Sequence, residues 1–308
     1  MSPSKSLLAL FGHESFSVVA DSDEFLRECT CLGFNTAHVS ELEILPRHSL
    51  VFSFSNEAAR LTFDIAKKTE SKKSIFCAAQ VFDPSLSSAL YSLKLLMSSD
   101  FEHALSTQRR VLNMLNSNDC FSLSGNDADA CVTIFPHAKP YALLSEDVEN
   151  DFIQSVAEFF EVHYAHMNPV EPCPFSFSGT LKVEGILTVL RKPNLSLPDG
   201  LKTSLKWLSV RISEGSTFLS VDNNIITSLT ISGEEHIKLL DLAAGGRGLK
   251  LTEFAVGVND DIAPSIDYKI NSQLNEGVSG VHLAIGDGTS GYHIDFLSPG
   301  VSVIPMSQ

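Results

Sequence analysis

Residues 167–175 read Met-Asn-Pro-Val-Glu-Pro-Cys-Pro-Phe and place Pro169, Pro172 and Pro174 almost side by side. A proline ring fixes φ and removes a backbone donor, so neither a helix nor a central strand runs through such a stretch. The segment therefore divides the chain, and the sequence on its two sides has a different texture. We expect a first domain over 1–145, a helix with the Pro-rich linker over 146–174, and a second domain over 175–308.

Before the prolines, short apolar runs alternate with helical patterns. Leu7–Phe11, Ser49–Phe54 and Ser74–Phe82 have the length, apolar content and polar flanks of strands. Asn56–Lys68 carries Ala59, Phe63 and Ala66 at helical spacing, Ser85–Met97 continues that pattern, and Asp100–Leu115 offers Phe101, Leu105, Val111 and Leu115 as an inner face. The succession predicts a Rossmann-like α/β domain with a partly parallel sheet. Phe121–Phe135 reads as a hairpin about Gly125-Asn126-Asp127. Ser145–His166 opens on Ser and acids and carries Phe152, Val156, Phe159 and His163 at helical spacing, which predicts a helix. After the prolines come strand-like runs and glycines, including residues 207–231 beginning at Trp207, with one helix near Glu234–Ala243. The whole is an α/β (α+β) chain whose second half is β-rich.

Composition limits the function. Acidic residues outnumber basic ones by 37 to 22, a formal charge of −15, and no basic run interleaved with aromatics offsets it. Phosphate contacts need a basic patch, so nucleic acid is not an expected partner. No apolar run reaches the ~20 residues that span a bilayer, so no membrane partner is expected either. The six cysteines lack a CxxC pair and are expected as reduced, mostly buried thiols of a cytoplasmic protein. The first residues lack a signal-peptide h-region and are read as the first strand.

Residues 280–297, Gly-Val-His-Leu-Ala-Ile-Gly-Asp-Gly-Thr-Ser-Gly-Tyr-His-Ile-Asp-Phe-Leu, hold most of the chemistry. Gly286, Gly288 and Gly291 match G-x-G-x-x-G, but a strand follows, whereas a dinucleotide loop needs a helix N-terminus for its pyrophosphate. The glycines are read as a tight turn, and the Ala243–Gly248 cluster as a helix C-cap and loop. His293 and Asp295 leave one face of a strand and suit iron or zinc, and the turn brings His282 beside them. Glu253 sits among apolar residues, where a carboxylate is costly unless paired or bound to metal. Tyr292 alternates to the opposite face. His163 and His166 are read as a helix-end pair without a metal role.

These residues carry a resemblance. The segments containing Glu253, Gly257 and Asn259, then His282 to Gly286, then His293-x-Asp295, resemble the C-terminal signature of the M29 (thermophilic-type) aminopeptidase family over residues 175–300, and the fold is similar to that of the 2,5-dihydroxypyridine dioxygenases. The resemblance implies an M29-like metal-site domain, with Glu253, His282, His293 and Asp295 as metal ligands. The chain departs from the peptidases in two places. Only the shortened segment around Glu171 stands where they have a further metal-binding Glu, and Thr289 stands where they have a ligand-like Tyr. The retained trio Glu253, His293 and Asp295 resembles the dioxygenase ligand set and implies Fe(II), with Zn or Mn as alternatives. Shortened proteins of this type also resemble the ring-forming proteins of crocagin-type ribosomal peptide maturation. Three functions follow as expectations. The first is metal-dependent modification or ring formation on a peptide substrate, with His282 as ligand or catalytic acid/base. The second is a metallo-aminopeptidase that uses Glu171, and the third is a non-catalytic protein that binds a precursor leader peptide. The resemblance also implies a homodimer.

Overall fold

The computed structural model describes residues 2–166, 168, 173–192 and 197–306. Glu171 therefore lies outside the described residues. The architecture is α/β, built on three sheets.

The first sheet has five parallel strands in the order Asn35–His38, Ser17–Ala20, His48–Phe52, Lys73–Cys77 and Phe152–Ser155. This is the order of doubly wound sheets, in which ligands lie in the crevice beyond the carboxyl ends of the strands. Its helices start where hydroxyls or a carboxylate accept from free N–H groups. Ser22, Ser55, Ser85 and Asp100 cap Asp23–Cys31, Asn56–Lys68, Leu86–Ser98 and Phe101–Ser117. Helix 56–68 packs through Ala58, Thr62, Ile65 and Ala66 rather than through Phe63, which is 41% exposed.

The second sheet has seven antiparallel strands in the order Glu234–Glu235, Ile225–Ile231, Thr217–Asp222, Phe175–Lys182, Ala128–Ile134, Cys120–Gly125 and Ser302–Pro305. The hairpin read at 121–135 is present, with Asn126 and Asp127 both at positive φ, and it pairs with Phe175–Lys182. The third sheet has six antiparallel strands in the order Gly185–Val189, His293–Pro299, Gly280–Ile285, Leu251–Gly257, Glu161–Ala165 and Tyr141–Ala142. A large apolar core joins the last two sheets and takes Phe175 and Phe177 from one and Tyr164, Phe254, Leu283 and Phe296 from the other.

Four expectations need correction. Lys5–Leu10 is a helix, not a first strand; Ser4 caps it by accepting from Leu7 N–H at 3.1 Å, and six residues are too few to reveal a period. Residues 145–166 are not a helix. Phe152–Ser155 becomes the fifth parallel strand, and Glu161–Ala165 pairs with Leu251–Gly257. Here sheet partners override a helical spacing of apolar residues. Leu201–Glu214, which includes the strand-like stretch around Val210, is a helix that buries Leu201, Leu205, Leu208 and Ile212. Of the six free cysteines only Cys29 and Cys77 are buried, and Cys31 and Cys131 are exposed. No helix of the described residues is long and apolar enough to cross a membrane.

Candidate metal centre

Side chains alternate along a strand, and in the third sheet this alternation separates two chemistries. Val162, Tyr164, Phe254, Val256, Leu283, Ile285, Ile294 and Phe296 point into the core. Glu161, His163, Glu253, His282, His293 and Asp295 point to the other face. The register brings them together: Glu253 lies opposite Ala165 on one side and Ala284 on the other, and Ala284 lies opposite Asp295. Ala255 separates His163 from His282 in the next row. Alanine at the intervening positions leaves room above the sheet, so the long side chains converge across one small residue each.

Two donor groups result. Glu253, His293 and Asp295 form one, Glu161, His163 and Glu253 the other; within each, one ligand atom per residue lies within 4.8 Å of the rest. Glu253 belongs to both. Its Oε2 is 3.8 Å from His293 Nε2, and its Oε1 is 3.6 Å from His282 Nε2. His293 Nε2 is 3.0 Å from Asp295 Oδ1, and His163 Nδ1 is 3.2 Å from Glu161 Oε1. His282 is in neither group. It lies between them, with Nε2 3.4 Å from Glu161 Oε2.

The turn at 286–291 orients His293. The ring's Nδ1–H donates to the Gly286 carbonyl at 3.1 Å, which leaves the Nε2 lone pair for the donor group. The turn is fixed from within, because the Asp287 carboxylate accepts from the N–H and hydroxyl groups of Thr289 and Ser290. Thr289 is thus committed to the turn. From outside, the Ala243–Gly248 cluster packs against the turn: Tyr292 N–H donates to the Ala243 carbonyl at 2.7 Å, and a methyl group at Gly291 would lie 2.5 Å from the Ala244 carbonyl carbon. The two glycine-rich segments serve each other's backbone approach and not a nucleotide. Gly245 ends the helix Ile237–Ala244 as expected, and Tyr292 is a core residue.

The electrostatics are those of crowded carboxylates. Burial opposes the charge on Glu253, but the neighbouring imidazoles outweigh it and hold the carboxyl at about 2. Burial likewise opposes charge on His163 and His293, yet Glu161 lifts the first to about 10 and Asp295 the second to about 9. His282 is raised by Glu253 and Glu161 against the effect of its burial. Burial raises Glu158 to about 7, and burial with Glu161 and Asp295 nearby lifts Glu276 well above the carboxylate range. Protons therefore hold this cluster together at neutral pH. Buried Glu161 Oε2 and His282 Nε2 meet as an ion pair at 3.4 Å without a hydrogen bond, and buried Asp295 Oδ2 has no hydrogen-bond partner. Buried polar atoms without hydrogen bonds are costly, and imidazole and carboxylate donors fit a divalent first-row metal.

The donors open onto a cleft of about 640 Å³. Its lining also includes Gln80 and Phe82, which follow the strand Lys73–Cys77, Phe63 from the helix Asn56–Lys68, and Gln273 and Glu276 from the turn Gln273–Gly277. Of the residues singled out from sequence, Glu253, His282, His293 and Asp295 come together, although His282 does not line the cleft. Sequence reasoning missed Glu161 and gave His163 no role. The signal was available in the Glu-Val-His-Tyr-Ala alternation at 161–165, which repeats the polar-apolar pattern of His-Ile-Asp at 293–295.

No curated protein matches the chain. Among solved structures, wild-type AmpT from Thermus thermophilus superposes with a TM-score of 0.48 at 13% identity, over 95% of this chain and 90% of that one. 2,5-dihydroxypyridine dioxygenase from Pseudomonas putida KT2440 gives 0.49 at 10% identity, over 96% and 92%. Residues 13–306 match the family described as crocagin biosynthetic protein CgnE/B, so the chain belongs to that family of natural-product biosynthesis proteins.

Proposed function

We propose that the protein carries out a metal-dependent modification of a ribosomally made peptide during crocagin-type maturation, with Fe(II) held by Glu253, His293 and Asp295. The observation that supports this reading is the buried one-face donor group of two carboxylates and one imidazole that lines a cleft of about 640 Å³. A metal held by this imidazole and these two carboxylates would supply open positions for oxygen or a polarised carbonyl. The chain's own residues do the rest. Gly286 fixes the His293 tautomer, Glu253 and Asp295 supply the counter-charge, and His282 holds a proton between Glu161 and Glu253. Glu158, poised near neutrality on the cleft wall, exchanges a proton with substrate.

A second reading, two-metal peptide hydrolysis, is favoured by one specific observation. The group Glu161, His163 and Glu253 adjoins the first and supplies the extra carboxylate for which Glu171 was the sequence-based candidate. Incubating precursor peptide with metal-loaded protein and oxygen separates the readings by mass. Oxygen gain or hydrogen loss supports the first, cleavage with uptake of water the second, and an unchanged peptide bound equally by metal-free protein contradicts both.

A further inference from the structure

The cleft also takes in an arginine, a glutamine oxygen without a partner and three phenylalanines. Arg191 follows the strand Gly185–Val189, and its N–H donates to the Gly288 carbonyl at 2.8 Å. A methyl group at Gly288 would lie 3.1 Å from Arg191 Cγ, so the glycine gives the arginine stem its seat. Glu158, Glu161, Glu253, Glu276 and Asp295 line the same cleft, yet among the described residues the guanidinium pairs with none of them. The cleft therefore keeps one cation apart from its anions. In the same cleft, Gln80 is anchored by its N–H to the Ser53 carbonyl at 2.9 Å, while its side-chain Oε1 is buried without a partner. An acceptor in that position calls for a donor from a ligand. Beside it the Phe63 and Phe76 rings are 4.9 Å apart, and Phe82 completes the apolar surface.

We propose that this cleft seats the carboxyl-terminal end of a peptide, with the terminal carboxylate on Arg191, a substrate N–H on Gln80 Oε1 and an apolar side chain on the phenylalanines. The proposal deepens the function above and rests on it for the identity of the substrate as a peptide. The planar guanidinium fork matches a carboxylate, and the surrounding acids disfavour a more highly charged anion such as phosphate.

The test uses full-length protein and a short fluorescent-labelled peptide ending in phenylalanine, prepared as free acid, as C-terminal amide, and as amide with a penultimate aspartate. The free acid is expected to bind at least about tenfold more tightly than the amide. Arg191→Ala should lower free-acid affinity to that of the amide and leave amide binding unchanged. Arg191→Lys should keep part of the preference, and Phe63→Ala should weaken both forms by one factor. Equal binding of acid and amide, a preference that survives Arg191→Ala, full recovery by the internal aspartate, or no binding of any form overturns the proposal. Metal content is measured on the same samples. A preparation that takes up no metal but prefers the free acid contradicts the metal reading and leaves this one standing, and the reverse result removes this one alone.

Discussion

Replacing Glu253 by glutamine changes one atom in shape and removes the charge that both donor groups share. In the metal-free protein Glu253 is held at about 2 against an ordinary 4.5. A carboxyl depressed in the folded state contributes stability above its unfolded pKa and loses it as pH falls through the folded value. At pH 7 that contribution is therefore fully present and is of the order of 3 kcal/mol, since the residue is 8% exposed and little screened. Glu253→Gln should then lower the melting temperature of chelator-treated protein by roughly 5 °C at neutral pH and have little effect near pH 2. The metal effect is larger and has a pattern. Glu253 is one of the three proposed ligands, so Fe(II) affinity should fall by more than the ~100-fold that loss of an outer-shell partner can cause. Asp295→Asn should weaken the same site, and Glu161→Gln, outside that trio, should weaken it far less. Anaerobic isothermal titration of the three variants, alongside circular dichroism melts, reads both effects. A Glu253→Gln protein that binds Fe(II) with wild-type affinity refutes this reasoning.

Three further outcomes follow from the same geometry. His163 and His293 are raised to about 10 and about 9, so their contribution is present below about pH 6.5 and lost as pH rises through those values. Chelated protein should melt at a higher temperature at pH 6 than at pH 9.5, while bound metal, which displaces those protons, should flatten the difference and bind more tightly as pH rises toward 9. Glu276 is raised well above 4.5, which costs metal-free protein stability at neutral pH. Glu276→Gln should therefore raise its melting temperature at pH 7, with the gain shrinking toward pH 4. Gly291→Ala sets a methyl 2.5 Å from the Ala244 carbonyl carbon and strains the 2.7 Å bond from Tyr292 to Ala243. It should cost about 2–4 kcal/mol in denaturant unfolding and loosen metal binding by displacing His293.

The site was legible in the sequence where strand alternation ran without competition. His293 and Asp295 two apart, with His282 across a glycine turn, fix one face of a sheet from local pattern alone. Glu161 and His163 follow the same rule but sit in a stretch where Phe152, Val156, Phe159 and His163 also satisfy a helical period. Only the partner strands decide between the two periods: Lys73–Cys77 takes Phe152–Ser155, and Leu251–Gly257 takes Glu161–Ala165. Those partners are distant in sequence and invisible to a local window. The reverse happened at Leu201–Glu214, where Val210 and Ile212 suggested a strand while Leu201, Leu205, Leu208 and Ile212 trace a helical stripe. Gly291 and Gly245 show a third limit. Each glycine cluster reads locally as a turn, but their value lies in contact with each other.

The central claim is that Glu253, His293 and Asp295, on one face of the six-stranded sheet, hold one Fe(II). Its most direct test is anaerobic titration of chelator-stripped protein with Fe(II), followed by gel filtration and elemental analysis. The account predicts saturable retention of one metal per chain, kept by Glu161→Gln and lost in Asp295→Asn and Glu253→Gln, whereas two metals per chain with Glu161→Gln retaining one favours the hydrolytic reading. Protein that emerges free of metal, or retention that Asp295→Asn and Glu253→Gln leave untouched, contradicts it.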